Sequence, residues 1–455
     1  MEFSKPQVTL DTSLADLYAD EHREGDPKTT LVPCYWCSDL DYSKFIPKTS
    51  KYLYQGTPPP NTDKEKRELV IQCLSLECQR FTFAAGRMET VLFDIRDFTG
   101  RLDAIKTMNV LPNRQRPNII FAKGIDDLMQ QRPEAQFALV VPHEKFASRQ
   151  QTVDSDVLYK LLSKRYLALS GLPTPETNVL DLDDSSPSVA SKLSKAVSWI
   201  RSFDIPRVFK TQQGMSSVGT FLVRTEQERE DLIDLLSENI LRTTLDSVNS
   251  TNAYLYPSSL LSQEMITQAQ ECFATSFFVR RNGDAIFLGA CRQDMDSESN
   301  AWLGASICYL DQGRLRQRLW PVVCQIATYL HGEGYYGPAG ADIMLANASA
   351  TQPARHWIID LNVRMTGSLT LAFLRGHFSE RRGLHEASIT QRFKFKDKRD
   401  DFRKLFATEV AEGRLIIVAW FYDTISEVSW GNLIVGAEDG PGLKRLVEKV
   451  RSIAI

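Results

Sequence analysis

Three polar residues at alternate positions stand out near the end of an apolar segment. Asp360, Asn362 and Arg364 are separated by Leu361 and Val363. Alternate residues of a β-strand point to the same face of a sheet, so the three polar side chains should project together. Carboxylate and amide oxygens suit Mg²⁺, which takes one or two carboxylates and completes its shell with phosphate oxygens and water. The row predicts a metal site, with a solvated sheet face and a local Asp–Arg pair as the alternative.

A second carboxylate lies in a short apolar segment, 340–345, that is predicted to form the neighbouring strand. This residue, Asp342, would share the metal with Asp360 and Asn362. Arg364 would stabilise the negative charge that develops when a phosphoryl group is transferred. Arg292, at the end of another predicted strand, is a further candidate for phosphate or carboxylate binding, and a plain surface cation is an equally good explanation.

A lysine followed by a loop of small residues is the second chemical feature. Lys210 ends an apolar segment that is predicted to be a strand, and another strand follows the loop. Small residues let backbone N–H groups approach phosphate oxygens closely, while the lysine supplies a positioned positive charge. The candidate phosphate-binding residues of the loop are Gly214, Ser216, Ser217 and Gly219. An ordinary hairpin with an exposed lysine is the alternative.

Several other functions are disfavoured by what the sequence lacks. It contains no P-loop, no Gly-x-Gly-x-x-Gly turn, no His-Glu-x-x-His and no Gly-x-Ser-x-Gly. The 54 Lys and Arg residues against 57 Asp and Glu leave a formal net charge of -3, which disfavours nucleic acid and anionic membranes as partners. No apolar run reaches the roughly 20 residues that cross a bilayer, and the N-terminus lacks the pattern of a secretory signal. We expect a cytoplasmic protein.

Four of the eight cysteines raise the question of a zinc site. Cys34 and Cys37 form a Cys-x-x-Cys pair, and Cys73 and Cys78 could complete four ligands. The second pair has the wrong spacing for a zinc ribbon, so buried or surface thiols are the simpler interpretation, and the sequence leaves the question open.

The elements that would position these residues begin with an open α/β domain. A loop-rich start is followed by short apolar segments that suggest buried strands, at 68–74, 89–93, 118–122 and 136–141. We therefore assign residues 1–150 to an N-terminal domain. A single helix is predicted over 156–169, where apolar residues recur at helical spacing, and it ends before Gly171 and two prolines.

The remaining chain divides into three further units. Strands around the glycine loop and at 260–266 place residues 151–265 in a small subdomain. Residues 266–380 form a core subdomain, with a hairpin turn at Asn282–Gly283, a helix over 313–332 and the strands that carry the metal site. Residues 381–455 form a C-terminal extension with a hairpin over 414–435 and a closing helix.

In order along the chain, these features resemble the ATP-grasp superfamily of ligases. In that family a helical lysine precedes a Gly-Leu-Pro-x-Pro type of turn, and Lys160 precedes such a turn at Gly171. Lys210 matches the second lysine, on the strand before the glycine loop. The hinge strand that holds adenine is resembled by four consecutive residues, Gln263, Glu264, Met265 and Ile266.

The same resemblance covers ribose and metal. Glu271, or else Gln270, falls near the residue that holds ribose in the family. Asp342, Asp360 and Asn362 match the Mg²⁺ ligands, and Arg364 matches the arginine that ends the family's Glu-x-Asn-x-Arg motif. The matching region runs over residues 155–380.

The resemblance implies a multidomain protein of mixed α/β and α+β class: an ATP-grasp fold with an N-terminal open α/β pre-ATP-grasp domain and a C-terminal extension. It implies ATP and Mg²⁺ as cofactors and an ADP-forming ligase that joins a small carboxylate to an amine through an acyl phosphate. Amino acids are candidate substrates, and a homodimer is the default expectation. An ATP-grasp kinase, a thiol ligase or a non-catalytic ATP-binding module are the alternatives.

Overall fold

The computed structural model describes residues 8–34, 51–54, 62–93, 98–183, 188–214, 219–295, 302–347 and 354–455. Within these ranges the strands assemble into three sheets: a four-stranded parallel sheet, a four-stranded antiparallel sheet and an eight-stranded antiparallel sheet. None of the helices in the described part of the chain is long and apolar enough to span a membrane. The expected mixture of an α/β unit with antiparallel units is confirmed.

The α-helices are, in chain order, α1 (Leu14–Ala19), α2 (Asp63–Val70), α3 (Glu77–Phe83), α4 (Phe98–Met108), α5 (Ile125–Gln131), α6 (Ser155–Leu161), α7 (Lys164–Leu169), α8 (Val189–Arg201), α9 (Glu226–Leu235), α10 (Leu241–Ser247), α11 (Gln312–Gly332), α12 (Leu369–Ala372), α13 (Arg399–Leu405), α14 (Ala407–Ala411) and α15 (Gly440–Arg451). Three π-helical segments, Ile71–Leu76, Leu236–Ile240 and Gly376–Glu380, adjoin some of them.

The N-terminal sheet consists of parallel strands joined through helices. Its strands are β1 (Thr29–Val32), β2 (Glu89–Phe93), β3 (Asn118–Ala122) and β4 (Gln136–Leu139), in the order β3-β2-β1-β4. Parallel strands need crossover connections, which helices such as α4 and α5 supply. Val91, Ile120 and Phe137 from three of the strands lie in one buried cluster with Leu128 of α5.

The middle sheet is small and antiparallel. Its strands are β5 (Thr177–Leu180), β6 (Arg207–Thr211), β7 (Thr220–Val223) and β8 (Leu260–Glu264), in the order β5-β8-β6-β7. Helices α8, α9 and α10 cover one side, where Ile200, Leu232 and Leu245 pack with Phe209 of β6. This sheet carries Lys210 and the two ends of the glycine loop.

The central sheet contains the remaining strands: β9 (Glu271–Val279), β10 (Ala285–Met295), β11 (Trp302–Cys308), β12 (Gly337–Ala346), β13 (Arg355–Asn362), β14 (Glu386–Phe395), β15 (Leu415–Asp423) and β16 (Val428–Ala437). Their order is β13-β12-β9-β10-β11-β14-β16-β15. Because β14 pairs with β11, the last strands extend this sheet rather than forming a sheet of their own. The domain limits at 150, 265 and 380 stay predictions.

Different elements cover the two faces of the β9–β13 region. On one face, Leu319, Val323 and Ile326 of the long helix α11 pack against buried residues such as Phe273 and Ile343. On the other face, Phe278 of β9 belongs to a cluster that includes Leu17 of α1 and Phe81 of α3. The N-terminal domain thus covers one end of the face that α11 leaves free.

Some local predictions were wrong. The segment 68–74 was expected to be a strand and is helical, because Thr62 caps α2 through a capping box with Glu65 and the helix continues into Ile71–Leu76. A short apolar run cannot be assigned to helix or strand by periodicity alone. The strands β1, β5, β11 and β14 were not predicted. The Asn282–Gly283 turn is confirmed, with Gly283 at φ +87° between β9 and β10.

Candidate active site

Two aspartates stand directly opposite each other on adjacent strands. In the register of β12 and β13, Asp342 pairs with Asp360, and their neighbours Ala341 and Leu361 are buried in the apolar layer beneath α11. Strand alternation therefore places both carboxylates on the face away from α11. The two aspartates are therefore neighbours on adjacent strands, and their role as metal ligands stays a prediction.

The pKa values of the two carboxyl groups are shifted in opposite directions. Burial, together with the charge of Asp360, raises the pKa of Asp342 to about 7. For Asp360, burial also acts to raise the pKa, but the nearby cations Lys164, Lys210 and Arg364 outweigh it, so this pKa is lowered. One carboxylate is thus held ionised by cations, while the other gives up its proton only near neutral pH.

Lys210 reaches this pair from the small antiparallel sheet. Its side chain is 6% exposed, and Nζ donates a hydrogen bond to the backbone oxygen of Ile359 at 2.7 Å. Burial lowers the pKa of Lys210 to about 8; Asp360 opposes this shift and the cation Lys164 adds to it. The lysine is therefore a buried cation whose charge sits at the junction of two sheets.

The first lysine at the site is Lys164 rather than the predicted Lys160. Lys164 is buried, and its Nζ lies 3.7 Å from Oδ1 of Asp360 and donates to the backbone oxygen of Gly214 at 3.1 Å. Lys160 lies elsewhere, with Nζ 6.0 Å from the ring centre of Tyr166 and 5.9 Å from that of Tyr254. Of the two helical lysines, Lys164 is the one beside the carboxylates.

A break in the predicted helix explains this exchange. Residues 156–169 form two short helices, and Ser163 caps the second one by accepting hydrogen bonds from the backbone N–H groups of Arg165 and Tyr166. The break starts a new helix at Lys164, whose N–H donates to the backbone oxygen of Gln212 at 3.0 Å. A serine inside an apolar helical pattern was the available signal, because serine is a preferred N-cap residue.

Arg364 and Asn362 complete the predicted row. Asn362 lies opposite Gly340 in the register, two pairs along from the two aspartates and therefore on the same face of the sheet. The chain turns after β13, where the N–H of Arg364 donates to the backbone oxygen of Asn362 at 2.8 Å. The Arg364 side chain is only 9% exposed, and its charge acts on both Asp342 and Asp360.

Gln293 belongs to the site, and Arg292 does not. The side-chain amide of Gln293 donates a hydrogen bond of 2.6 Å to Oδ1 of Asp342. Its neighbour Arg292 is exposed and lies over the ring of Phe273, on the side of the sheet that α11 covers. Adjacent residues of a strand point to opposite faces of the sheet. Gln293 therefore faces Asp342, and the predicted cation Arg292 faces the other side.

The glycine loop is described only at its ends. The Gly214 backbone oxygen accepts the bond from Lys164, and Gly219, at φ +76°, accepts a hydrogen bond of 2.8 Å from the N–H of Thr211. Ser216 and Ser217 lie outside the described residues. The position of both glycines beside the two lysines fits a phosphate-binding loop, which stays a prediction.

The predicted hinge connects the small sheet to the central sheet. Gln263 and Glu264 end β8, and Met265 and Ile266 begin the link to β9. The Glu264 N–H donates to the backbone oxygen of Glu176 at 2.8 Å, and the buried Gln263 side chain donates to Thr177 Oγ1 at 3.0 Å.

The two candidates for ribose binding are held by neighbouring elements. Glu271 forms an ion pair with Arg318 of α11, on the opposite face from Asp342. Gln270 accepts a hydrogen bond of 2.8 Å from the N–H of Asn347.

Cys34, Cys73 and Cys78 are buried thiols in the core of the N-terminal domain. The Cys78 thiol donates to the backbone oxygen of Cys73 at 3.2 Å, and burial raises the pKa of Cys78 well above its usual value. Cys37 lies outside the described residues. Among the residues that are described, no three His, Cys, Asp or Glu side chains gather as metal ligands.

The aspartate pair nevertheless suits Mg²⁺. Burial and, after it, the charge of Asp360 raise the pKa of Asp342, and a bound divalent cation would offset both the burial of the charge and the repulsion between the two carboxylates. Mg²⁺ sites use one or two carboxylates and leave the remaining positions to phosphate and water, so Asp342, Asp360 and Asn362 are sufficient protein ligands. The donor set fits the metal.

No protein-family model matches the sequence, and no curated protein matches it. Solved structures do. N5-carboxyaminoimidazole synthetase from Staphylococcus aureus, complexed with ADP, matches with 10% identity and a TM-score of 0.50, over 93% of this chain and 96% of that one. Biotin carboxylase from Campylobacter jejuni, in a complex with a β-γ-ATP ligand, matches with 10% identity and a TM-score of 0.50, over 94% and 92%.

These likenesses establish the fold. The chain has the ATP-grasp fold with an N-terminal α/β domain, as its sequence predicted, and the aligned regions span nearly the whole of both compared proteins. Pyruvate carboxylase from Rhizobium etli also matches, with 9% identity and a TM-score of 0.50, over 37% of its own length. At such low identity the activity of this chain has to be inferred from its own residues.

Proposed function

We propose that this protein is an ATP-dependent ligase that joins a small carboxylate to an amine, with release of ADP and phosphate. The observation that carries the proposal is the convergence of Lys164, Lys210, Asp342, Asp360 and Arg364 at one place between two sheets. Three cations around two acids are what a magnesium-bound triphosphate requires, because the cations meet the phosphate oxygens and the acids hold the metal.

Each residue has a role in this proposal. Lys164 and Lys210 bind phosphate oxygens, and Gly214 and Gly219 hold the loop that covers them. Asp342, Asp360 and Asn362 hold Mg²⁺, which supplies charge neutralisation on the phosphates when bound. Adenine would lie against the hinge formed by Gln263, Glu264, Met265 and Ile266, with Glu271 or Gln270 near the ribose.

The chemical step proposed for the site is attack by the substrate carboxylate on the γ-phosphorus. The new O–P bond forms as the bond to ADP breaks, which gives an acyl phosphate. Arg364 stabilises the negative charge that builds up during this transfer, from a buried position in which water does not screen it. An amine then attacks the acyl carbon and phosphate leaves, so the sum of the two steps is amide, ADP and phosphate.

Two of the compared structures support a nucleotide at the site. The S. aureus synthetase was solved with ADP and the C. jejuni carboxylase with a β-γ-ATP ligand. ATP and Mg²⁺ as cofactors, a homodimer and a cytoplasmic location are part of the same proposal, as is the division into units at residues 150, 265 and 380.

The test is a screen of amino acids and small carboxylates, singly and in pairs, for ADP and phosphate release with Mg-ATP, with products identified by mass. We expect phosphate and an amide product for one pair, and Asp360→Ala should abolish both. The matched control is Asp126→Ala, an aspartate whose side chain is 80% exposed in the N-terminal domain. ADP formation with a phosphorylated alcohol would instead identify a kinase, and ATP binding without turnover would identify a binding module.

A further inference from the structure

A buried arginine of the N-terminal domain has two side-chain nitrogens without a hydrogen-bond acceptor among the described residues. Arg80, on α3, is 2% exposed, and neither its Nε nor its Nη1 has a hydrogen-bond partner in the part of the chain that the structure describes. A guanidinium group keeps its charge under physiological conditions, and burial of an unpaired charge is strongly unfavourable. A bound anion would supply the acceptor that these two donor nitrogens lack among the described residues.

The location of Arg80 connects it to the candidate active site. Its guanidinium carbon lies 5.6 Å from the centre of the Trp302 ring, and a Cβ added to Gly367 would lie 2.5 Å from Cη2 of the same ring. Gly367 belongs to the turn that directly follows Arg364. The indole ring of Trp302 therefore lies between Arg80 and the turn that follows Arg364.

The turn at Gly367 is itself fixed to the sheet that carries the aspartates. Thr366 and Ser276 of β9 share a hydrogen bond of 2.7 Å between their hydroxyl oxygens. Ser276 lies opposite Gly340, which is two residues from Asp342 on β12 and so faces the same way. The turn, the indole and Arg80 thus border the face on which the two carboxylates stand.

The immediate surroundings of Arg80 prepare it to bind an anion. The ring of Phe81, with its centre 5.0 Å from the guanidinium carbon, is the second aromatic neighbour besides Trp302. Such contacts orient a guanidinium without using its N–H groups. The free N–H groups of an arginine match the paired oxygens of a carboxylate or a phosphate, which they bind in a bidentate manner.

We propose that Arg80 binds an anionic oxygen group, a carboxylate or a phosphate, on a substrate of this enzyme. The inference rests on the proposed ligase function, in which Arg364 and the aspartate pair serve the reacting carboxylate and the nucleotide. Arg80 stands apart from them across Trp302, so its partner is a second anionic group. One substrate therefore carries such a group in addition to the atom that reacts.

The proposal is tested by anion-dependent stabilisation of the full chain, which needs no turnover. Ligands that bind only the folded state raise the melting temperature. Inorganic phosphate and succinate are titrated into the wild-type protein, Arg80→Met, Lys210→Met and Arg355→Met. Arg355 is the matched control, because it is an exposed arginine whose guanidinium carbon lies 5.0 Å from the centre of the Trp357 ring.

We expect at least one anion to stabilise the wild type and Arg355→Met, and its apparent affinity to fall at least tenfold in Arg80→Met. A response that is lost in Lys210→Met but kept in Arg80→Met would instead place the anion at the proposed nucleotide site and overturn the proposal. A response to phosphate alone indicates a phosphorylated substrate, and a response to succinate alone indicates a polycarboxylate. Equal responses in the wild type and Arg80→Met, or no response of the wild type to either anion, would overturn the proposal. Lysine at this position keeps the positive charge but cannot bind two oxygens in a bidentate manner, so Arg80→Lys should bind the anion more weakly than the wild type.

A second measurement guards against a purely structural role. Removal of a buried charge with two unsatisfied donor nitrogens should raise the melting temperature of the anion-free protein, so Arg80→Met should be more stable than the wild type. A lower anion-free melting temperature in Arg80→Met, with the anion response intact, would contradict the proposal. Neither readout depends on ATP, so failure of the ligase assignment and failure of the Arg80 assignment are distinguishable.

Discussion

Nζ of Lys164 lies 3.7 Å from Oδ1 of Asp360, and this contact connects the start of helix α7 to strand β13. The same ammonium group donates to the backbone of Gly214, so one cation contacts both the carboxylate and the glycine loop. The phosphate-binding role proposed for Lys164 follows from these two contacts together.

Replacement of Lys164 should weaken ATP binding, and replacement of Lys160 should not. A hydrogen bond to a charged group contributes about 1.5–3 kcal/mol, so we expect Lys164→Met to reduce ATP affinity by roughly 10- to 100-fold. Lys160→Met is the matched control, because Lys160 lies over the Tyr254 ring. Titration calorimetry with ATP in the presence of Mg²⁺ measures both. Equal losses in the two variants would refute the role given to Lys164.

Magnesium should bind better as the pH rises through neutrality. The pKa of Asp342 is raised to about 7 from its ordinary 3.8 by burial and by Asp360, so this group becomes a charged ligand only near pH 7. We expect Mg²⁺-dependent stabilisation of the ATP-bound protein to increase between pH 6 and pH 8, a range set by that pKa. Melting temperatures with and without Mg²⁺ across this range test the expectation, and Asp342→Asn should remove the pH dependence.

Without metal, a rise in pH should lower the contribution of Asp342 to the stability of the folded protein. Because the pKa of Asp342 is higher in the folded than in the unfolded chain, the folded state binds more protons between the two values of 3.8 and about 7. Stability contributed by this group is therefore full at low pH and lost as the pH rises toward 7. Asp342→Asn should accordingly raise the metal-free melting temperature at pH 8, measured by differential scanning fluorimetry.

ATP affinity should fall at alkaline pH. Burial lowers the pKa of Lys210 to about 8 from the ordinary 10.5, so the ammonium charge that phosphate requires is lost above pH 8. We expect weaker ATP binding between pH 7.5 and pH 9.5, around that pKa, and a much flatter profile in Lys210→Met. For stability the sign is reversed: the unfolded state binds more protons between about 8 and 10.5, so this residue becomes less destabilising as the pH rises.

Adjacent residues on β10 provide a matched pair of variants. Gln293→Leu removes the hydrogen bond of 2.6 Å to Asp342 and should weaken apparent Mg²⁺ affinity by about 10-fold or more, since bonds to charged groups contribute about 1.5–3 kcal/mol. Arg292→Leu changes the opposite face and should leave the affinity within about twofold, as surface substitutions usually do. The measurement is the Mg²⁺ dependence of ATP hydrolysis or binding, and a larger effect at Arg292 would contradict the placement of the site.

Gly340 should tolerate no side chain. A Cβ at this position would lie 2.2 Å from Cγ2 of Thr366 and 2.9 Å from the backbone oxygen of Thr275, so Gly340→Ala should cost about 1–3 kcal/mol through overpacking. Gly313, near the start of α11, has nothing within 4 Å of its added Cβ, and Gly313→Ala should be neutral or stabilising. The urea concentration at the unfolding midpoint should fall in Gly340→Ala, and it should stay the same or rise in Gly313→Ala.

The sequence was most informative where the controlling physics is local. Asp360 and Asn362 were placed on one face because strand alternation needs no knowledge of the rest of the chain. The Asn282–Gly283 turn was recognisable for the same reason, since a hairpin of this kind requires a residue with positive φ.

The sequence was less informative where one residue of register or one cap decides which side chains meet. The continuous helix predicted over 156–169 includes Lys160 and hides the start of a second helix at Lys164, which Ser163 caps. The charge of Arg292 is visible in the sequence, whereas the direction of the Gln293 side chain depends on the placement of β10 in the sheet. That two nitrogens of Arg80 lack an acceptor among the described residues depends on the packing of distant segments, which no local pattern carries.

The pairing of β11 with β14 affects how the chain must assemble. The central sheet begins with β9 at Glu271 and is extended beyond β11 only when β14, which starts at Glu386, becomes available. During synthesis on the ribosome, β11 is therefore an edge strand with unpaired backbone groups until β14 has been made. Such an edge can pair with strands of other chains. A protein cut short before Glu386 should consequently be prone to aggregate, even though it would retain every residue assigned to the nucleotide site.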